Sequence, residues 1–261
     1  MKKVLVITLV SLFVVAGSAM ALPFNTRQVG SVSDFATGAG SEDGLQEVFD
    51  TAITTGHLNA YGDQSDVALW QKAEGQIDAY MISMFTAADG VLGIYSASTG
   101  MEVDLASFGA PADPNGGGIG SGPISVGFEV TDSGYLFVDG VSMGLFGETF
   151  GFYWKANNST FYTEDDKNDG GKARSLNYVL DEGMVVDRNA YGVLGAVGST
   201  SFTAQGNNDW LLAWEDWTDN DFNDAIFLVE DMNPVPEPGM ILLFGAGLVA
   251  LFGLGRKRIK K

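Results

Sequence analysis

In Ile124-Ser125-Val126-Gly127-Phe128-Glu129-Val130 apolar residues stand at every second position, and Phe150, Phe152 and Trp154 repeat that period further on. A period of two sends one row of side chains to a buried face and the other to water, as in antiparallel sheets. The same alternation, or a short apolar run, predicts strands at 67–70, 79–85, 91–96, 124–130, 134–138, 149–154, 160–163, 176–180, 193–197, 201–204, 210–214 and 225–229. Turn-forming Gly, Asn and Asp separate nearly all of them. One segment carries a helical period instead. Leu45, Val48, Phe49, Ala52 and Ile53 recur at i, i+3, i+4, i+7 and i+8, with Ser41 or Asp43 as the cap and Gly56 as the stop. So many short strands predict an all-β fold, an antiparallel β-sandwich of jelly-roll type with one short helix. A polar lead-in covers 22–40, and the Gly- and Pro-rich stretch 110–122 is a loop or linker. It divides a β-rich N-terminal region (22–122) from a C-terminal sandwich part (123–233), with one large domain preferred over two small ones.

Both ends of the chain break this pattern. Lys2-Lys3, the apolar run Val4 to Val15 and the small residues Ala19 and Ala21 around Met20 have the three-part order of a secretory signal peptide, 1–21, read by a Sec translocon. At the other end Pro236-Glu237-Pro238 precedes an apolar run from Met240 to Leu254 and a basic cluster, Arg256 to Lys261. As a helix the run spans roughly 22 Å, against about 30 Å of hydrocarbon, so 240–254 is a marginal transmembrane helix. The basic end stays on the cytoplasmic side and everything before Pro236 lies outside. An ordinary short anchor is the alternative. The order of motif, helix and basic end, over 234–261, resembles the PEP-CTERM sorting signal of Gram-negative bacteria. That resemblance implies recognition by exosortase, removal of the tail in transit, transient anchoring in the inner membrane, and a place at the cell surface or in the extracellular matrix.

Setting the two ends aside changes the charge. Seven of the 14 Lys and Arg lie in them but only one of the 33 Asp and Glu, Glu237, so the exported part carries about −25. That excess keeps a protein soluble by self-repulsion and argues against nucleic acid and anionic lipid as partners. It favours cations. With no Cys, stability has to come from the size of the core and from any bound metal.

The acids are densest between two apolar strands, where Glu215, Asp216, Asp219, Asp221, Asn223 and Asp224 fall within ten residues. Carboxylates this close repel and raise one another's pKa unless a cation or hydrogen-bond donors offset them. Calcium, which takes six to eight oxygens in flexible geometry, suits such a loop. Magnesium wants a stricter octahedron, and zinc would look for Cys or for His, of which there is one, His57. Asp219, Asp221, Asn223 and Glu230 match EF-hand positions one, three, five and twelve, but Asp224 stands where that loop needs Gly, and a strand follows. An EF-hand is therefore rejected. The metal-free alternative has the same side chains form Asx-turns and hydrogen-bond the loop. A second acidic loop, Glu164 to Gly171, contains Lys167 and is flanked by Lys172, and reads as a solvated hairpin end.

Glu215-Asp216 at the end of an apolar strand, followed by Asp219-Asn220-Asp221-Phe222-Asn223-Asp224 and a second strand, resembles the closing motif of the domain-of-unknown-function 4114 family. Phe150 to Tyr153, Phe161-Tyr162 and the 164–171 loop are similar in kind and order, so the likeness covers 149–230. It departs where the family's Gly-Gly-Asp is replaced by Trp217-Thr218-Asp219-Asn220. The resemblance implies an exported bacterial surface protein without established catalytic activity and with calcium at the acidic motif.

No Cys nucleophile, His-Glu-x-x-His helix or phosphate-binding loop occurs. The expectation is thus a noncatalytic, calcium-binding surface or matrix domain associated with extracellular polysaccharide. The alternative is a secreted carbohydrate-binding, lectin-like protein or glycan hydrolase using aromatics beside paired acids. Trp210 and Trp214 share one face of a strand and point to the core together, which leaves Trp217 as the surface candidate.

Overall fold

The computed structural model describes residues 27–36, 38, 42–72, 75–118, 121–123, 125–192, 201–206, 208–216 and 219–235. The expected signal peptide, the Pro-Glu-Pro tail with its apolar run, the candidate strand 193–197 and Trp217 lie outside them. Among the described residues no helix is long and apolar enough to cross a membrane.

Strands are numbered in chain order. Two large antiparallel sheets face each other. The first holds β2 (Trp70–Lys72), β4 (Gly90–Ser96), β5 (Glu102–Phe108), β9 (Thr149–Ala156), β10 (Ser159–Tyr162) and β16 (Met232–Pro234), in the order β16-β2-β9-β4-β5 with β10 paired to β9. The second holds β3 (Ile77–Met84), β6 (Ser125–Val130), β7 (Tyr135–Val138), β8 (Val141–Leu145), β11 (Ser175–Val179), β14 (Trp210–Trp214) and β15 (Ala225–Val229), in the order β11-β14-β15-β3-β6-β7-β8. Between them Trp70, Trp154, Trp210, Trp214, Phe128, Phe150, Phe152 and Phe227 form one aromatic core. The alternation in β6 and β9 is what aims these rings at one another.

A third layer closes the far face of the second sheet. It consists of helix α1 (Leu45–Ala52) and a small sheet of β1 (Ile53–Thr55), β12 (Val185–Asp187) and β13 (Ser201–Thr203), in the order β1-β12-β13. Leu45, Val48, Phe49 and Ala52, the predicted stripe of α1, pack with Ile82, Leu176, Tyr178, Leu211, Ile226 and Leu228 from the second sheet. β14 and β15 are consequently buried on both faces, every residue of each inaccessible, and their continuous apolar sequences reflect that. The simple two-layer sandwich is corrected to this extent.

Details of the prediction shift for local reasons. The N-cap of α1 is Gly44, which makes no side-chain cap bond; Asp43 instead accepts from the Tyr191 hydroxyl at 2.8 Å. Nor does the helix run on to Gly56, because Ile53 leaves it in an extended conformation to begin β1. The strand expected at 67–70 starts only at Trp70, since Ser65 to Leu69 crosses between sheets, with a bridge from Ser65 to Asn177. Strands β3, β4 and β5 precede the 110–122 stretch and β6, β9 and β15 follow it, yet they share both large sheets. On the outer face of the first sheet, Gly93 pairs with Tyr153 and Gly151 with Tyr95, and each ring lies over its glycine: a Cβ would sit 2.1 and 2.3 Å from it.

Segment 64–69 also receives both ends of the described chain. Val29 exchanges two hydrogen bonds with the Gln64 amide, and the Val235 N–H donates to the Leu69 carbonyl.

Candidate acidic cation site

The acidic loop joins β14 to β15, the two most buried strands of the molecule, and this placement desolvates its ends. Glu215 and Asp216 leave β14 at 0% and 6% exposure, and Asp221, Asn223 and Asp224 lead into β15 at 3%, 0% and 8%. Carboxylates are rarely buried so fully without partners. One oxygen from each of Glu215, Asp219 and Asp221 lies within 4.8 Å of the other two, with Asp219 exposed and the others buried. A calcium ion bound at about 2.4 Å spans about 4.8 Å between opposite ligands, whereas magnesium spans about 4.2 Å. The three oxygens are thus close enough together to share one cation.

The remaining predicted residues divide by role. Asp224 accepts the Asp216 backbone N–H at 2.5 Å, closing the neck of the loop. Burial, reinforced by the charges of Asp216 and Glu215, pushes its carboxyl well above the usual range. Asp216 is also raised, by burial first and by Asp219, although the Thr86 hydroxyl, the Trp154 indole and Arg174 oppose this. Asn157 donates to its Oδ1 at 3.3 Å, while Oδ2 makes no hydrogen bond of normal geometry. Asn223 gives its amide N–H to the Asp43 carbonyl at 2.7 Å, and its Oδ1 is buried without a hydrogen bond. The unbonded Asn223 Oδ1, buried within the loop, is an acceptor suited to a cation. Arg174 approaches Glu215 to 4.0 Å and offsets part of the cluster's charge.

The backbone of the loop is under constraint. Asn220 and Phe222 have φ of 63° and 55°. Asn tolerates this left-handed region; for Phe it is an outlier that the surroundings must enforce. Phe222 is 1% exposed and packs edge-on against Phe35, 6.2 Å away, while its N–H points to Glu215 Oε2 at 3.5 Å. Holding Phe222 inward turns Asp221 and Asn223, on either side of it, toward the acids.

Sequence reasoning missed Glu42. Its carboxyl is raised to about 7, by burial first, then by Asp221 and Asp219, with Asp216 adding and Asn223 opposing through a hydrogen bond. It lies 173 residues before Glu215, so no local motif could reveal it. Glu230, counted at the EF-hand position, is elsewhere: it faces Arg188 at 3.5 Å, whose guanidinium lies 4.1 Å over the Tyr80 ring.

The second acidic loop is internally satisfied. Arg27 reaches both oxygens of Asp165 at 2.6 and 2.7 Å, Lys167 lies 3.8 Å from Glu164, and Asn168 ties the backbone. Beside it Arg27, Asp66, Ala68 and residues 163–166 line a polar hollow of about 290 Å³. Trp210 and Trp214 are both in the core. His57 sits at the surface 3.8 Å from Asp50.

No curated protein matches the chain. Among solved structures, a lectin from Chromobacterium violaceum, CV2L in complex with alpha-methyl-fucoside, is 12% identical with a TM-score of 0.31, covering 65% of this chain and 98% of that one. The C-terminal domain of the BC2L-C lectin from Burkholderia cenocepacia is 13% identical with a TM-score of 0.30, covering 65% and 97%. Superposition at that level carries no argument about this chain. Residues 234–258 match the PEP-CTERM protein-sorting motif, which marks the chain as an exported protein sorted at the membrane.

Proposed function

We propose that this chain is an exported, noncatalytic β-domain of the cell surface or extracellular matrix, processed by exosortase, which binds calcium in its acidic loop and associates with exopolysaccharide. The observation that carries it is the convergence of Glu215, Asp219 and Asp221, one oxygen of each within 4.8 Å of the others, at the end of two fully buried strands. Desolvated carboxylates held together have no reason to persist in a fold unless their charge is used. The resemblance of 149–230 to the domain-of-unknown-function 4114 family supports the same conclusion. Calcium would be held by Glu215, Asp219 and Asp221, with Asp216 and Asn223 close by and Asp224 bracing the neck. The ion would bind by charge and supply rigidity.

The test is thermal unfolding of the purified full chain with calcium, magnesium or chelator. A ligand that binds only the folded state raises its stability by mass action, about 2.7 kcal/mol at a hundred times Kd. A rise with calcium that magnesium does not reproduce supports the proposal, and no shift at millimolar calcium removes the metal from it. A carbohydrate-binding reading is favoured by one observation, the polar hollow at Arg27, Asp66 and Thr163. A glycan array tests it, and release of reducing sugar would overturn the noncatalytic assignment.

A further inference from the structure

The N-terminal lead-in lies directly on the acidic loop. Phe35 packs on Phe222 at 6.2 Å, and the Asp43 carbonyl accepts from Asn223 at 2.7 Å. At Gly38, a Cβ would fall 2.6 Å from Asn223 Nδ2, 2.9 Å from Glu42 Cβ and 3.0 Å from the Asp43 carbonyl oxygen. Gly38, Glu42, Asp43 and Asn223 therefore crowd one spot, and only the lack of a side chain at 38 lets the strand pass so close. The lead-in is in turn tied to α1, through the Gln46 N–H to the Phe35 carbonyl, and to the rest of the body through the Tyr191 hydroxyl on Asp43.

Among residues so packed, Glu42, hydrogen-bonded to Asn223, is a further carboxylate beside the acidic loop. It adds a negative charge to three that already converge, which Arg174, 4.0 Å from Glu215, offsets only in part. The Asn223 amide, in the loop, hydrogen-bonds both Glu42 and the Asp43 carbonyl, and its Oδ1 is buried without a hydrogen bond. We infer that Glu42 is a further ligand of the cation, so that the bound ion clasps the N-terminal segment, residues 33–46, onto the β14–β15 loop. The inference rests on the calcium reading above and adds to it a partner segment and a consequence. In the metal-free chain the clasp is held by Phe35 on Phe222 and by the hydrogen bonds of Asn223 to the Asp43 carbonyl and to Glu42, against the mutual repulsion of Glu42, Asp219 and Asp221. With a divalent ion between them the same charges pull the two segments together, as oxygen ligands from distant parts of a chain do around calcium.

Hydrogen exchange of the full chain with and without calcium reads the clasp directly, and calorimetric titration of calcium into wild type, Glu42→Gln and Glu47→Gln reads the ligand. Glu47 is exposed in the first turn of α1 and serves as the control. Expected are slower exchange in 219–224 and in 33–46 together, calcium affinity at least about tenfold weaker in Glu42→Gln, and no change in Glu47→Gln. The exchange measurement on wild type stands even if the variant folds poorly. Calcium binding that protects 215–224 alone and is unaltered in Glu42→Gln would overturn the clasp and leave the calcium site intact. No heat and no protection anywhere in wild type would overturn both.

Discussion

Asp221→Asn separates the metal reading from the loop-bracing alternative by the sign of its effect. The substitution keeps shape and one acceptor and removes a charge. At 4.8 Å and an effective dielectric near 20, two carboxylates repel by about 3.5 kcal/mol. The pair Glu215–Asp221 is buried and feels most of this; the pair with exposed Asp219 is screened to well under about 1 kcal/mol. Arg174, 4.0 Å from Glu215, offsets part of the remainder. Relief of about 1–2 kcal/mol is left, which in a chain of this length raises the melting temperature by about 2–8 °C. In chelator the variant should therefore melt above wild type. In calcium the order should reverse, because wild type gains about 2.7 kcal/mol at a hundred times Kd and the variant loses a charged ligand. Differential scanning calorimetry of both proteins, in chelator and in millimolar calcium, gives the four numbers. If Asp221→Asn lowers the melting temperature equally in both conditions, Asp221 braces the loop and the cation reasoning fails.

Gly90→Ala should cost at least about 1–3 kcal/mol, read as a lowered urea midpoint, because its Cβ would fall 2.0 Å from the Trp154 ring, which is buried and cannot retreat. Asp165→Ala should lower stability by the same amount with and without calcium, since Asp165 serves Arg27; Asp169→Ala should likewise spare the calcium response that Asp221→Ala and Asp224→Ala diminish. Burial, with Asp209, Asp78 and Asp231 nearby, raises Glu230 to about 7 against the pull of Arg188. A carboxyl raised in the fold contributes stability that is complete below about pH 4.5 and is lost as pH rises to about 7. Melting temperature should thus fall less steeply over that window in Glu230→Gln than in wild type, and parallel profiles would count against the assignment. Mass spectrometry of surface protein should find a C-terminus near Pro236-Glu237-Pro238; an intact Lys261 would refute removal of the tail.

The period-two segments found their places because a sheet face repeats every second residue, and β6 and β9 face each other as their rings require. The stripe of α1 was legible for the same reason. What the pattern could not show was the third layer. Ala225 to Val229 reads as a strand in either a two- or a three-layer fold, and only the position of Leu45, Val48 and Phe49 against its second face decides. The three-residue strands β1, β12 and β16 are too short for a period, β8 is exposed along nearly its whole length, and β5 mixes Glu102 and Asp104 with Val103 and Leu105, of which none is fully buried. In the acidic loop the residue types pointed to a cation, but proximity sorted them. Glu215, Asp219 and Asp221 converge while Asp224 turns back to the Asp216 N–H. Glu42 was invisible because its relation to the loop exists only after folding.

The attachment of Val29 to Gln64 and of Val235 to Leu69 bears on how such a protein is made. The two points are at most about 17 Å apart along an extended five-residue stretch. Under the processing proposed for the two ends, a leader before Val29 and a sorting tail after Val235 would leave the body at one seam. A chain held at the membrane by both could then complete its sheets as a closed loop, and the order of the two cuts would make no demand on the fold.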